Sequence, residues 1–219
     1  MVTTVPRETL PKNRLLGALL RYQPELPESV CAIFLQHFEL LCHWNKTHNL
    51  TRLIDPDSAA LLHYVDSLLP LKQLEQPLSV VDIGSGTGLP GIAALAWWPE
   101  ARVFLVDSSA KKVSFLRSVR ARLSNRNLEV VHGRCQEIPA LGADLVLIRA
   151  TFKWPEIPAM ASRHLATKGS VLAYLGQSAP SITDWMAATA KENLVAARIQ
   201  QYFLPGKKQV RHAATALKE

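Results

Sequence analysis

Residues 80–91 read VVDIGSGTGLPG, and no other stretch constrains the fold as tightly. The chain has ten glycines, and Gly84, Gly86, Gly88 and Gly91 fall within eight positions. They follow LSVVDI, a run of aliphatic and β-branched residues that suits a buried strand. In a doubly wound α/β sheet, ligands sit beyond the carboxyl ends of the strands. Glycine at such an end lets the backbone take positive φ and admits a neighbour that a Cβ would block. Pro90 suits the first turn of a following helix.

The rest of the chain supports that sheet. After Pro77, β-rich runs alternate with helical stretches: LSVVDI, ARVFLVD, LEVVHG, ADLVLIRA and GSVLAYLG, with helices to Trp98, over about 109–124, and up to about 165. This rhythm predicts an α/β fold, a mostly parallel sheet with helices on both faces. Residues 194–217 predict two more strands, antiparallel at the sheet edge. Residues 1–76 read as a helical appendage and 77–219 as the sheet domain. Apolar positions 30, 34, 38 and 41 recur at helical spacing, with His37 packed beside them. A helix over 12–22 precedes the breakers Pro24 and Pro27. Another follows DPDS, capped by Asp55 or Asp57.

The 48% hydrophobic content is enough for a full core. Cys31, Cys42 and Cys135 form no CxxC pair, so neither a zinc site nor a disulfide framework is expected. MVTTVPRETLPK has no apolar leader segment, and no uncharged run reaches the roughly 18 residues of a membrane helix. A soluble cytoplasmic protein, a monomer away from membranes, is the expectation. The net charge of +7 is unevenly spread: −1 over 1–77, +3 over 78–150 and +5 over 151–219. A basic carboxyl-terminal two-thirds suits a phosphate backbone.

Two ligands compete for the glycine turn. Gly86, Gly88 and Gly91 spell GxGxxG, the dinucleotide fingerprint. Yet Asp82 and Gly84 come first, and D-x-G-x-G-x-G over Asp82, Gly84, Gly86 and Gly88 is the better parse. It resembles the first motif of Rossmann-like S-adenosylmethionine methyltransferases, in which the methionine part meets the turn and Asp82 would fix the loop or the ammonium. Asp107 ends ARVFLVD, 23 residues after Gly84. An acid there accepts from both ribose hydroxyls and disfavours a 2′-phosphate. It also suits the cap of the helix that follows.

A set of motifs makes the resemblance specific. WNKTHNLT (44–51), HYVDSL (63–68), DIGSGTGLPG (82–91), DSSAKKVSFL (107–116), HGR (132–134) and IRA (148–150) stand in the order and spacing of one family. Over about residues 28–176 the chain resembles the bacterial 16S rRNA guanine-N7 methyltransferases, also called glucose-inhibited division protein B. The resemblance implies a class I methyltransferase fold, S-adenosyl-L-methionine as cofactor, and 16S rRNA or the 30S subunit as partner. It places Gly84, Gly86, Gly88 and Leu89 around the cofactor, and Cys135 and Gln136, where the family has Ala-Glu, beside the adenine. Arg149 matches the arginine of the family's Ser-Arg-Ala, with Ile148 in place of the serine. It becomes the candidate catalytic residue near the transferred methyl, facing cofactor or RNA. Leu175-Gly176 replaces the family's usual Lys-Gly. His63 and Asp66 would support the cofactor turn.

The chemistry expected of such a site is sparse. Guanine N7 offers a lone pair and has no proton to remove, so no general base is needed. No [ND]PP[YF] sequence follows the fourth strand, as resembles amino-group methylation, and no Pro-Cys pair, as in cytosine-C5 methylation. RNA would be held through phosphates by Lys111, Lys112, Arg117 and Arg120, with Arg122 and Arg126 nearby, on a helix whose Val113, Leu116, Val119 and Leu123 face inward. Phe152 and Trp154 suit base stacking or core packing. Two other readings follow from particular residues: an RNA-binding paralogue without turnover, from Gln136 and Leu175, and an NAD-linked oxidoreductase, from GTGLPG.

Overall fold

The computed structural model describes residues 11–219. The N-terminal stretch read as lacking a leader lies mostly outside the described residues. Helices α1 (Pro11–Tyr22) and α2 (Glu28–His48) come first. A composite helix follows: α3 (Pro56–Ala59), a π-helical turn (Ala60–Val65) and α4 (Asp66–Leu71). Asp55 caps it, its side chain accepting from the Ser58 amide.

From Ser79 onward strands and helices alternate. They are β1 (Ser79–Ile83), α5 (Gly91–Trp97), β2 (Arg102–Asp107), α6 (Ala110–Leu123), β3 (Leu128–His132), β4 (Ala143–Arg149), α7 (Ile157–His164), β5 (Leu165–Gly176), α8 (Ile182–Ala190), β6 (Leu194–Phe203) and β7 (Val210–Lys218). The strands form one seven-stranded sheet in the order β3-β2-β1-β4-β5-β7-β6. Strands β1 to β5 pair in parallel; β7 inserts antiparallel to β5, and β6 pairs antiparallel to β7. Only β7 therefore runs against the sheet, because two reversals return β6 to the common direction. Strand β1 is flanked by β2 on one side and β4 on the other, so the strand order reverses at its carboxyl end. A crevice opens at such a point.

Alternation along the strands sorts the core into two layers. Val80, Leu105, Leu147 and Leu172 face helices α1 to α6 in one buried cluster. Val81, Ile83, Val106, Ile148 and Ala173 face the other way, toward Ile157 and Ala161 of α7 and Trp185 of α8. Residues 11–71 thus share one continuous core with the sheet. Helix α8 has no counterpart in the sequence reading. Its Trp185 is fully buried and donates its ring N–H to the Thr215 carbonyl at 3.2 Å, fixing α8 to β7.

Trp185→Ala is expected to cost about 3–5 kcal/mol in urea unfolding, with an unchanged denaturant slope.

Candidate active site

A cavity of about 570 Å3 opens at the carboxyl ends of β1, β2 and β4. Its walls are the glycine turn, Asp107 and Ser108, residues 133–136 after β3, residues 149–152 after β4, and Leu50 and Thr51 after α2.

The turn is fastened at both ends. The amides of Gly84 and Ser85 both donate to the Val106 carbonyl, at 2.8 and 3.0 Å. The Gly86 amide donates to Asp107 Oδ2 at 2.9 Å. The Gly91 amide donates to Asp82 Oδ2 at 2.9 Å, so the carboxylate of β1 braces the start of α5 from beneath. From α2, His37 Nε2 donates to the Thr87 carbonyl at 2.7 Å. A carbonyl only accepts, so Nδ1 of the neutral ring accepts from the Tyr64 hydroxyl, also at 2.7 Å.

The glycines serve different neighbours. Gly84 (φ 70°) lacks a Cβ because the Thr151 side chain occupies that space. Gly88 (φ 92°) makes room for Ile92, with Leu116 and His37 behind it. Gly91 lies against Asp82 and Leu105. Gly86 (φ 58°) differs: a Cβ there would come no nearer than 3.8 Å to Gly84 O and 3.9 Å to Lys112 Nζ. Gly86 also lines the cavity, so its open side faces the void.

Asp107 is buried but not spent. Oδ2 accepts from Gly86, and Oδ1 accepts from the Ser109 amide at 2.9 Å. A carboxylate offers about four acceptor positions, so each oxygen can take another donor. Lys112 Nζ stands 3.7 Å from Oδ2.

Arg149 lines the opposite wall, at the end of β4. It donates through Nη1 to Ser67 Oγ at 3.0 Å and lies 3.7 Å from Asp66 Oδ2. That carboxylate is shared: Tyr202 donates its hydroxyl to Oδ1 at 2.8 Å, and Arg211 donates to Oδ2 at 3.0 Å. Tyr174 donates to the Ser67 carbonyl at 2.6 Å. The segment after the π-helical turn thus joins β4, β5 and the β6–β7 hairpin at one node. Past Arg149, Ala150 takes the left-handed region at φ 55°. This non-glycine departure turns Thr151 back over the glycine turn, 3.1 Å from the Arg149 carbonyl.

The family model described as rRNA small subunit methyltransferase G matches residues 30–214. This chain belongs to that family. A ribosomal RNA small subunit methyltransferase G of Methylobacillus flagellatus is 37% identical over 190 residues, covering 86% of this chain and 89% of that one. Among solved structures, a methyltransferase from Pyrococcus furiosus superposes with a TM-score of 0.54 at 15% identity, covering 68% of this chain and 79% of that one. The M. jannaschii TYW2, solved in complex with AdoMet, gives 0.52 at 14% identity over 74% and 78%. The fold is the class I methyltransferase fold. Family membership decides between the two parses of the glycine turn, and the nicotinamide reading falls.

The structure brings Gly84, Gly86, Leu89, Asp107, Cys135, Gln136 and Arg149 to one cavity. It places two other expected ligand contacts outside the cavity lining. Asp82 is turned beneath α5 to its Gly91 bond, and Gly88 is packed on Ile92. Lys111 is exposed, and one of its three N–H donors is given to the His48 carbonyl at 2.7 Å. Lys112, half-exposed, lines the cavity beside Asp107. His63 and Asp66 do not touch the glycine turn: His63 bonds Thr51, and Asp66 bonds the arginines and Tyr202. Phe152 lines the cavity and packs on the second core cluster; Trp154 and Leu175 pack there too. His37, Thr151 and Arg211 escaped the sequence reading as parts of the site. His37 was legible only as a packed residue, and no local pattern announces Thr151 or Arg211.

Burial shifts three groups around the turn. It pushes His37 down to about 4 and, with Arg149 nearby, His63 down to about 3. It pushes Asp82 up to about 7, against the Gly91 amide and Arg149, which favour the carboxylate. Asp82 Oδ1 is buried without a partner, which agrees with that direction. The histidines take up protons in the unfolded chain below about 6.5 but not in the folded one, so they remove stability as pH falls. Asp82 opposes them, since the folded state keeps its proton between about 4 and 7 while the unfolded state loses it.

Two histidines outweigh one aspartate, so urea unfolding is expected to show falling stability from about pH 6.5 to 4. Asp82→Asn removes the opposing group and should steepen that fall. Gly84→Ala is expected to cost about 1–3 kcal/mol by collision with Thr151, and adding Thr151→Gly should recover part of the loss.

Proposed function

We propose that the cavity binds S-adenosylmethionine and that the protein transfers its methyl group to N7 of a guanine in 16S rRNA. Family membership carries this reading, and the cavity's donor set fits the cofactor. The open side of Gly86 is a cradle that a Cβ would begin to fill. Asp107 has unspent acceptor positions for the two ribose hydroxyls. Cys135 and Gln136 supply the adenine side, and Arg149 the wall nearest the transferred group.

The bound cofactor supplies an electrophilic methyl group on a cationic sulfur. The chain's own residues have to align and exclude. The clamped turn and Asp107 hold the nucleoside, and Arg149, braced by Ser67 and Asp66, presents a guanidinium to cofactor or RNA. Guanine N7 attacks with its lone pair, so no side chain has to remove a proton. This agrees with a cavity whose one lining carboxylate, among the described residues, is already tied to two backbone amides. Alignment of this kind contributes roughly 7–11 kcal/mol in favourable cases.

One chain builds every wall of the cavity, so a monomer suffices. Among the described residues no helix is long and apolar enough to cross a membrane. The cytoplasm, where 30S subunits assemble, is the proposed place of action.

Labelled S-adenosylmethionine should transfer its methyl to 16S rRNA or to 30S subunits lacking the modification, and mass mapping should find it on guanine N7. Label on another base overturns the N7 assignment. Gly86→Val is expected to abolish S-adenosylhomocysteine binding in calorimetry. Arg149→Ala should lower transfer by at least tenfold while shifting the melting temperature by only a few degrees; unchanged turnover removes Arg149 from the site.

A further inference from the structure

Helix α6 leads away from the cavity rim, and the cations on it and in the loop after it divide into a paired set and an unpaired set. Near the rim, Lys111 is bound to the His48 carbonyl and Lys112 stands by Asp107. On the side facing α2, Arg122 pairs with Glu39 at 3.6 Å, and Lys12 pairs with the other oxygen of Glu39 at 3.2 Å. Arg117, Arg120 and Arg126 remain. All three are exposed, and among the described residues none has an ion-pair partner. They surround a shallow depression of about 310 Å3, floored by Ala121, Ser124 and Asn125.

Helix capping does not account for this cluster. Cations near a helix carboxyl terminus can offset its exposed carbonyls. Here Ser124, at φ 49°, does that work. Its amide donates to the carbonyls of Arg120 and Ala121 at 3.1 and 3.3 Å, and its hydroxyl donates to Ala121 O at 3.2 Å. Packing does not account for it either, because the inward stripe is Val113, Phe115, Leu116 and Val119. Three guanidiniums crowded without an anion repel one another, and an anionic partner removes that cost.

We propose that Arg117, Arg120 and Arg126 form a phosphate-docking patch for the backbone of the RNA substrate, separate from the cavity that takes the target base. This rests on the RNA methyltransferase reading above. The helical rise sets Arg120 roughly 12 Å along α6 from Lys112 at the cavity. Helix α6 runs from the cavity rim toward the amino ends of β2 and β3, so a strand that leaves the cavity past Lys112 can lay its phosphates along this helix. Guanidinium groups suit the contact because they bond phosphate oxygens in pairs. Such contacts carry no sequence information; they fix register and raise affinity.

The test is the salt dependence of binding to a 16S rRNA transcript and to 30S subunits, for wild type and for Arg117→Gln/Arg120→Gln/Arg126→Gln. Each lost phosphate contact lowers the log–log slope by about 0.7 on single strands, so the triple variant should lose about 2 from its slope and at least tenfold in affinity at low salt. Lys191→Gln, exposed just before β6 at the opposite edge of the sheet from β3, controls for surface charge and should lose neither. S-adenosylhomocysteine affinity should stay within twofold of wild type, which shows that the variant is folded. A wild type that transfers label beside a triple variant with an unchanged slope overturns the patch alone. A wild type that neither binds nor methylates either RNA overturns the patch and the enzymatic reading together.

Discussion

Three consecutive backbone amides fasten the turn after β1 onto the end of β2. Gly84 and Ser85 share the Val106 carbonyl, and Gly86 takes the Asp107 carboxylate. The cavity depends on that fastening. It holds the turn open instead of letting it collapse into the crevice, and it orients Asp107 with acceptor capacity to spare. Asp82 and His37 then hold the far half of the turn from below and behind. Together these contacts join β1, β2 and α2 to the same eight residues, so the site is preorganised before any ligand arrives.

Four of the glycines crowd this turn mainly for the protein's own sake. Gly84, Gly88 and Gly91 yield space to Thr151, Ile92 and the Asp82–Leu105 pair. Only Gly86 yields it to the cavity. A glycine-rich turn is thus as much a packing motif as a binding motif. Three of its positions let a strand, a helix and a returning loop come within contact distance of one another.

Much of this was legible in the sequence, and the misses have physical causes. The parallel strands, the crossover helices and the terminal hairpin follow from period-two and helical periodicities, which are local. Asp107 was legible because it ends a recognisable strand, and Arg149 through the resemblance of IRA (148–150) to a family motif. Helix α8 was not, because ITDWMAATA gives no decisive periodicity and is secured by one tryptophan reaching a distant strand. The same holds for Arg211 and Tyr202, whose partner Asp66 lies 145 and 136 residues earlier. Lys111 and Lys112 were legible as cations of this helix, but helical spacing does not reveal the carbonyl or carboxylate that each meets across the fold. His37 likewise looked like packing, and it is packing, but against the backbone that shapes the cavity.

The carboxylate of Asp66 places a condition on how the molecule comes into being. The node it forms beneath Arg149 draws on the beginning, the middle and the late part of the chain. Synthesis must run at least as far as Arg211 before that node can close. The β1–β4 half can assemble its strands earlier, yet the guanidinium at the cavity wall gains its full support only when the last hairpin folds in. The guanidinium at the cavity wall is therefore among the last side chains to reach its final surroundings as the polypeptide leaves the ribosome.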